Sequence, residues 1–168
     1  MRKLFVLALL LTASIAVASE PDSVALKIPG APDSTVTAKA LHTADTRDVV
    51  FAREGGESVT YKGVPLLALL ESRGLDTKGM IAERRLAPAV VVGTGRDGYT
   101  VVFSLGELVR ERAAPRVYVA GETASGALPE AQGPMRLVVP GEHARSAFGL
   151  SKIEVRLLAE NKPSRKSG

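Results

Sequence analysis

The chain has 168 residues, 45% hydrophobic and 24% charged, with a formal net charge of +4 and no cysteine. That length suits one domain with its own core, and the lack of cysteine excludes a disulfide scaffold and every thiolate mechanism, nucleophile and metal ligand alike. Two of the four net positive charges are Arg2 and Lys3 in a leader expected to be removed, so the remainder is nearly balanced, which argues against a nucleic-acid binder.

In chain order, Arg2 and Lys3 precede an apolar run from Leu4 to Leu11 that stays largely apolar to Val17, followed by the small-residue site Ala16-Val17-Ala18. This is the pattern of a secretory signal peptide over residues 1–18, with the mature chain starting at Ser19. The run is short against the roughly 20 residues of a bilayer span. The expected location is therefore the periplasm or the exterior, with no integral membrane segment after cleavage. A single domain is expected over 19–158, and the basic segment 159–168 reads as a disordered tail.

Val24 to Ile28 reads as a strand ended by Pro29-Gly30. Thr35 to Leu41 is ambiguous, β-branched at its start and helix-tolerant at its end. Val49 to Phe51 and Val59 to Tyr61, joined through Gly55-Gly56, predict a hairpin. Pro65 to Arg73 predicts a helix that Gly74 ends, with Leu66, Leu69 and Leu70 on one face toward a sheet. Ala89 to Val92 reads as a buried strand, turned by Arg96-Asp97-Gly98 into Tyr99 to Phe103. Ser104 and Glu107 have capping-box spacing, so a short helix of about Leu105 to Glu111 should follow, with the serine capping and the glutamate reaching back. Val117 to Ala120 is another strand, Gly121 to Gly133 a loop, and Leu137 to Val139 and Ile153 to Leu157 the last strands. Hairpins dominate, with no repeat and no linker. The fold class is α+β, a β-rich mixed fold rather than alternating βαβ units.

Gly93-Thr94-Gly95-Arg96-Asp97-Gly98 matches a dinucleotide-binding spacing, but a β segment follows it where that motif needs a helix N-terminus, so it reads as a hairpin turn. The two histidines, His42 and His143, lack the helix spacing of a zinc pair and read as structural. No G-x-S-x-G elbow occurs. Gly133-Pro134-Met135-Arg136-Leu137-Val138-Val139-Pro140-Gly141 is a short apolar strand punctuated at both ends, with one arginine at its start. Two readings of Arg136 stand. It snorkels to a rim and pairs with a surface carboxylate, or it joins Arg96, His143 and Arg145 in a compact anion pocket, since guanidinium forks bind carboxylate or phosphate bidentately.

Three segments, in order, resemble one family. Tyr61-Lys62-Gly63-Val64-Pro65-Leu66, Asp97-Gly98-Tyr99 with Phe103-Ser104-Leu105, and Gly133 to Gly141 followed by Ile153-Glu154-Val155 are similar to the molybdopterin-binding domain of sulfite-oxidase-type oxidoreductases. The resemblance runs from Val24 to Leu158 and resembles the family's trimmed, stand-alone exported members. It implies the sulfite-oxidase molybdopterin-binding-domain fold and a molybdenum–molybdopterin cofactor. In the family a cysteine ligates the metal upstream of the G-V-P-L segment; here Val49 to Gly56 contains none. A family histidine before G-P-x-R is Gln132 here, and a family Lys-Trp pair, whose lysine meets the cofactor phosphate, is Phe148-Gly149. Of the pterin-pocket basic residues, Arg136 and Arg145 survive. The expectation is a non-catalytic exported domain that binds a pterin-like or other small anionic ligand, or a periplasmic redox partner protein. The alternative is a molybdenum–pterin oxidoreductase, or a subunit of one, with a non-cysteine metal ligand.

Overall fold

A computed structural model describes residues 22–52 and 55–158. The expected signal peptide and basic tail lie outside them. Ten strands form two five-stranded sheets. The first is built from β1 (Ser23–Lys27), β2 (Ser34–Thr37), β5 (Ala89–Gly95), β6 (Thr100–Ser104) and β10 (Leu150–Leu157), in the order β2-β1-β10-β5-β6. Its neighbours are antiparallel except β1 and β10, which run parallel with Leu26 opposite Ile153. The second is antiparallel: β3 (Arg47–Ala52), β4 (Ser58–Pro65), β7 (Tyr118–Thr123) and β8 (Gly126–Ala127) in that order, with β9 (Arg136–Val138) also on β7. The architecture is α+β and β-rich.

Both sequence-expected hairpins form, because each joins alternating apolar segments across glycine turns. Gly55, Gly56 and Gly98 all take positive φ there. The ambiguous stretch divides where its composition changes. Its β-branched start is β2, and α1 (Ala38–His42) follows, capped by the Thr37 hydroxyl, which accepts from the Ala40 N–H at 3.2 Å. In α2 (Leu66–Ser72), Leu66, Leu69 and Leu70 are buried as the helical period demands, and Leu67 with them. Ala68 alone of its first five residues is exposed.

Three local expectations need correction. The segment Gly121 to Gly133 is not all loop: β7 continues to Thr123 and turns into β8. A further short helix, α3 (Thr77–Ala82), starts at Asp76, whose carboxylate accepts from the Gly79 N–H at 2.9 Å. Helix α4 (Leu105–Arg110) follows Ser104 as expected, but the Ser104 side chain makes no capping hydrogen bond. Glu107 turns to Arg145 instead.

The main core lies between the two sheets and takes in α2; it includes Leu26, Leu70, Val91, Val119, Leu137 and Ile153. The opposite face of the second sheet buries a smaller cluster of Val49, Phe51, Tyr61, Ala120 and Val138. The two-residue period of strands explains the division: Val119 and Leu137 face one side, Ala120 and Val138 the other. Arg136 shares its face with Val138, so the backbone aims it into the smaller cluster.

Candidate functional site

Arg136 is 2% exposed, which excludes the rim-snorkelling reading. It opens β9 opposite Ala120 of β7. Its Nη1 donates to the Tyr61 hydroxyl at 2.6 Å and to Gln132 Oε1 at 2.9 Å, and Nε donates to the Leu137 carbonyl at 3.4 Å. The Tyr61 hydroxyl in turn donates to Gln132 Oε1 at 3.1 Å, closing a triangle. Three rings surround the guanidinium carbon, with centroids at 4.3 Å (Phe148), 4.7 Å (Tyr61) and 5.4 Å (Phe51). All lie within the roughly 6 Å over which a ring quadrupole attracts a cation. The aromatic faces and oxygen acceptors replace the water that a buried charge gives up.

The walls of this chamber differ in solidity. Phe51 and Tyr61 are themselves buried and meet edge to face at 6.3 Å. Phe148 is 49% exposed and covers the guanidinium from outside. His143 lies exposed beside the chamber with its ring centroid 4.7 Å from that of Phe51. Outside Phe148 the turn after β5 sits on the loop before β10. The Arg96 N–H donates to the Gly149 carbonyl at 2.8 Å, and the Tyr99 hydroxyl to the Ala144 carbonyl at 2.5 Å. Arg96, Tyr99, His143 and Phe148 thereby form one exposed aromatic and basic rim.

Arg145 is not part of the chamber. Its guanidinium lies 4.4 Å from the Phe103 centroid and bonds to Glu142 at 3.0 Å and to both oxygens of Glu107 at 3.4 Å. Burial alone lowers its pKa, but the hydrogen bonds it donates to Glu107 and Glu142 outweigh this and hold it above the ordinary value. The expected four-residue anion pocket is therefore split. Arg136 is caged, Arg145 is neutralised by two carboxylates, and Arg96 and His143 stand on the rim. Gly93-Thr94-Gly95-Arg96-Asp97-Gly98 is the hairpin turn expected of it, and Gly93 has a packing reason: a Cβ there would lie 2.6 Å from Leu137 Cδ1.

Three of the caging side chains, Phe51, Gln132 and Phe148, fall where the resemblance noted above implies metal-ligating, histidine and phosphate-binding positions. Phe51 lies in the segment where the resemblance puts the metal-ligating cysteine, Gln132 at the family histidine, and Phe148 at the phosphate-binding lysine. That all three converge on Arg136 is visible only in space. The three side chains do not fit the metal of a molybdenum–pterin group: two hydrocarbon rings and an amide supply no soft ligand.

Four surface cavities, of about 190, 260, 180 and 310 Å³, are lined by none of Arg96, Arg136, His143 or Arg145. The strongest polar network elsewhere joins α2 to the end of α4. Arg112 clamps both oxygens of Glu71 at 2.6 and 2.8 Å, and the Thr77 hydroxyl donates to the same carboxylate at 2.6 Å. Burial raises the Glu71 pKa, but these bonds outweigh it and lower it overall.

No protein-family model matches the chain, and no curated protein matches it. Among solved structures, the sulfane dehydrogenase SoxCD from Paracoccus pantotrophus has the same fold, with a TM-score of 0.61 and 17% identity. The match covers 83% of this chain and 40% of that one, so the chain spans well under half the neighbour's length. The likeness is one of fold.

Proposed function

We propose that this chain is an exported, non-catalytic domain of the sulfite-oxidase molybdopterin-binding type that acts as a docking module for the acidic surface of a redox partner. The observation that carries the reading is the cage itself: Arg136 is enclosed by Phe51, Gln132 and Phe148, side chains at positions where the resemblance implies the family's ligands. A guanidinium so enclosed braces the second sheet. The rim is exposed, aromatic and arginine-bearing, a composition suited to a protein contact.

The test uses protein purified from the native cell envelope. Metal analysis and pterin fluorescence should show neither molybdenum nor pterin in stoichiometric amount; one molybdenum per chain overturns the non-catalytic reading in favour of the enzyme. Capture of an acidic redox protein should be lost in Arg96→Glu, a charge reversal on the exposed rim that leaves the cage untouched. Equal capture by the variant overturns the docking face.

A further inference from the structure

Two of the cavities adjoin. One, of about 190 Å³, lies between α2 and the end of α4; the other, of about 260 Å³, lies between α2 and α1. Both are lined by Arg47, Pro65 and Ala68, so they meet at a waist over the exposed face of α2. The larger is walled by Val36, Leu41, Val64 and Leu69. Leu67, Leu108 and Val117 wall the smaller.

The charges along this groove are unequal. In the smaller cavity Arg112 is clamped by Glu71, and Arg116 lies 3.9 Å from Glu111 and 3.5 Å from Glu142. Arg47, at the waist, is exposed, and among the described residues its guanidinium has neither hydrogen bond nor ion pair. It is the surplus cation of an otherwise balanced, apolar groove. Asp45 and Arg73 both stand on the wall of the larger cavity, Arg73 donating to the Thr35 carbonyl at 3.2 Å, so their charges offset there. Negative charge therefore suits Arg47 at the waist, and hydrocarbon suits the wall of Val36, Leu41, Val64 and Leu69 in the larger cavity.

We propose that this groove binds a free single-chain amphiphile with a carboxylate head, the head on Arg47 and the acyl chain in the cavity between α1 and α2. An apolar cavity of about 150 Å³ holds a six-carbon ring, so the volumes here suit a chain of about eight carbons. The proposal is independent of the Arg136 cage and its rim.

Calorimetric titration with octanoate, butanoate and octanol tests it. Octanoate should bind at one site, and each methylene removed should weaken binding about fourfold, so butanoate binds about two orders of magnitude more weakly. Arg47→Gln should weaken octanoate about tenfold and leave octanol unchanged, since only the carboxylate uses the charge. Ala68→Trp, at an exposed helix position, should block both ligands while the urea midpoint stays within error. Absence of saturable octanoate binding, or an Arg47→Gln variant that binds octanoate as the wild type does, overturns the proposal. Co-sedimentation with phosphatidylglycerol vesicles that persists in Ala68→Trp, without octanoate binding, assigns Arg47 to a membrane surface and overturns it as well.

Discussion

Arg136 and Glu154 show how far a charged side chain's worth depends on where the backbone aims it. Arg136 is the largest fully buried side chain of the fold. Removing it strips the hydrogen bonds from Tyr61 and Gln132 and opens a void beneath Phe148. Arg136→Ala should therefore cost about 2–5 kcal/mol, read as a lowered urea midpoint at unchanged slope. Arg136→Lys should cost less but still measurably, because an ammonium cannot lie flat among three rings while reaching both oxygens. An unmoved midpoint in both variants would contradict a structural cage. Glu154 lies on the outer face of β10 between Lys152 and Arg156, whose nitrogens stand 3.2 and 2.7 Å away. The hydrogen bond from Arg156, with help from Lys152, lowers its pKa from 4.5 to about 2. A carboxylate depressed in the folded state adds stability above its unfolded pKa and loses it as pH falls through the folded one. Wild type and Glu154→Gln should thus differ most above pH 4.5 and converge as pH falls to about 2. The difference should be at most about 1 kcal/mol, the ceiling for a solvent-screened pair. A gap that widens toward low pH would reverse the sign.

Among the elements, the helix starts make a controlled comparison. Thr37 and Asp76 accept hydrogen bonds from first-turn N–H groups, whereas Ser104 does not. Substitution by alanine should cost about 0.5–2 kcal/mol at Thr37 and at Asp76. Ser104→Ala should fall below that range in the same denaturation assay. An equal loss at Ser104 would mean that its hydroxyl caps α4 after all. The reason for the exception is the competition for Glu107. A capping box needs the glutamate to return to the cap residue, and here that carboxylate is held by Arg145.

For the whole molecule the decisive approach is that of the two sheets. Gly93 of β5 faces Leu137 of β9, and both are buried. A methyl added at Gly93 would enter within 2.6 Å of Leu137 Cδ1, in a main core with little slack. Gly93→Ala should destabilise by about 1–3 kcal/mol, whereas alanine at Gly106, where the nearest atom would be the Ser104 hydroxyl at 3.5 Å, should not. Thermal unfolding compares the two; equal melting temperatures would show that the sheets yield at that point.

The hairpins, α2 and the position of β9 were legible in the chain itself, although β9 begins and ends one residue earlier than expected. Each is written within about a dozen neighbouring residues, as alternation, helical period, or proline and glycine at the ends. So was the identity of Arg136 as the residue to watch, because a charge in an apolar strand demands a partner. Its partners were not legible. Tyr61 lies 75 residues away, and nothing in local pattern tells whether such a residue arrives as a ring face, a hydroxyl or not at all. The same holds for the parallel union of β1 with β10, for Glu107 taken by Arg145, and for the meeting of Phe51, Gln132 and Phe148 at one guanidinium. Local sequence determined which segments could pair and which faces were apolar. Only the packing of the two sheets decided which distant side chains share a volume, because that depends on the order and register of strands across the whole chain.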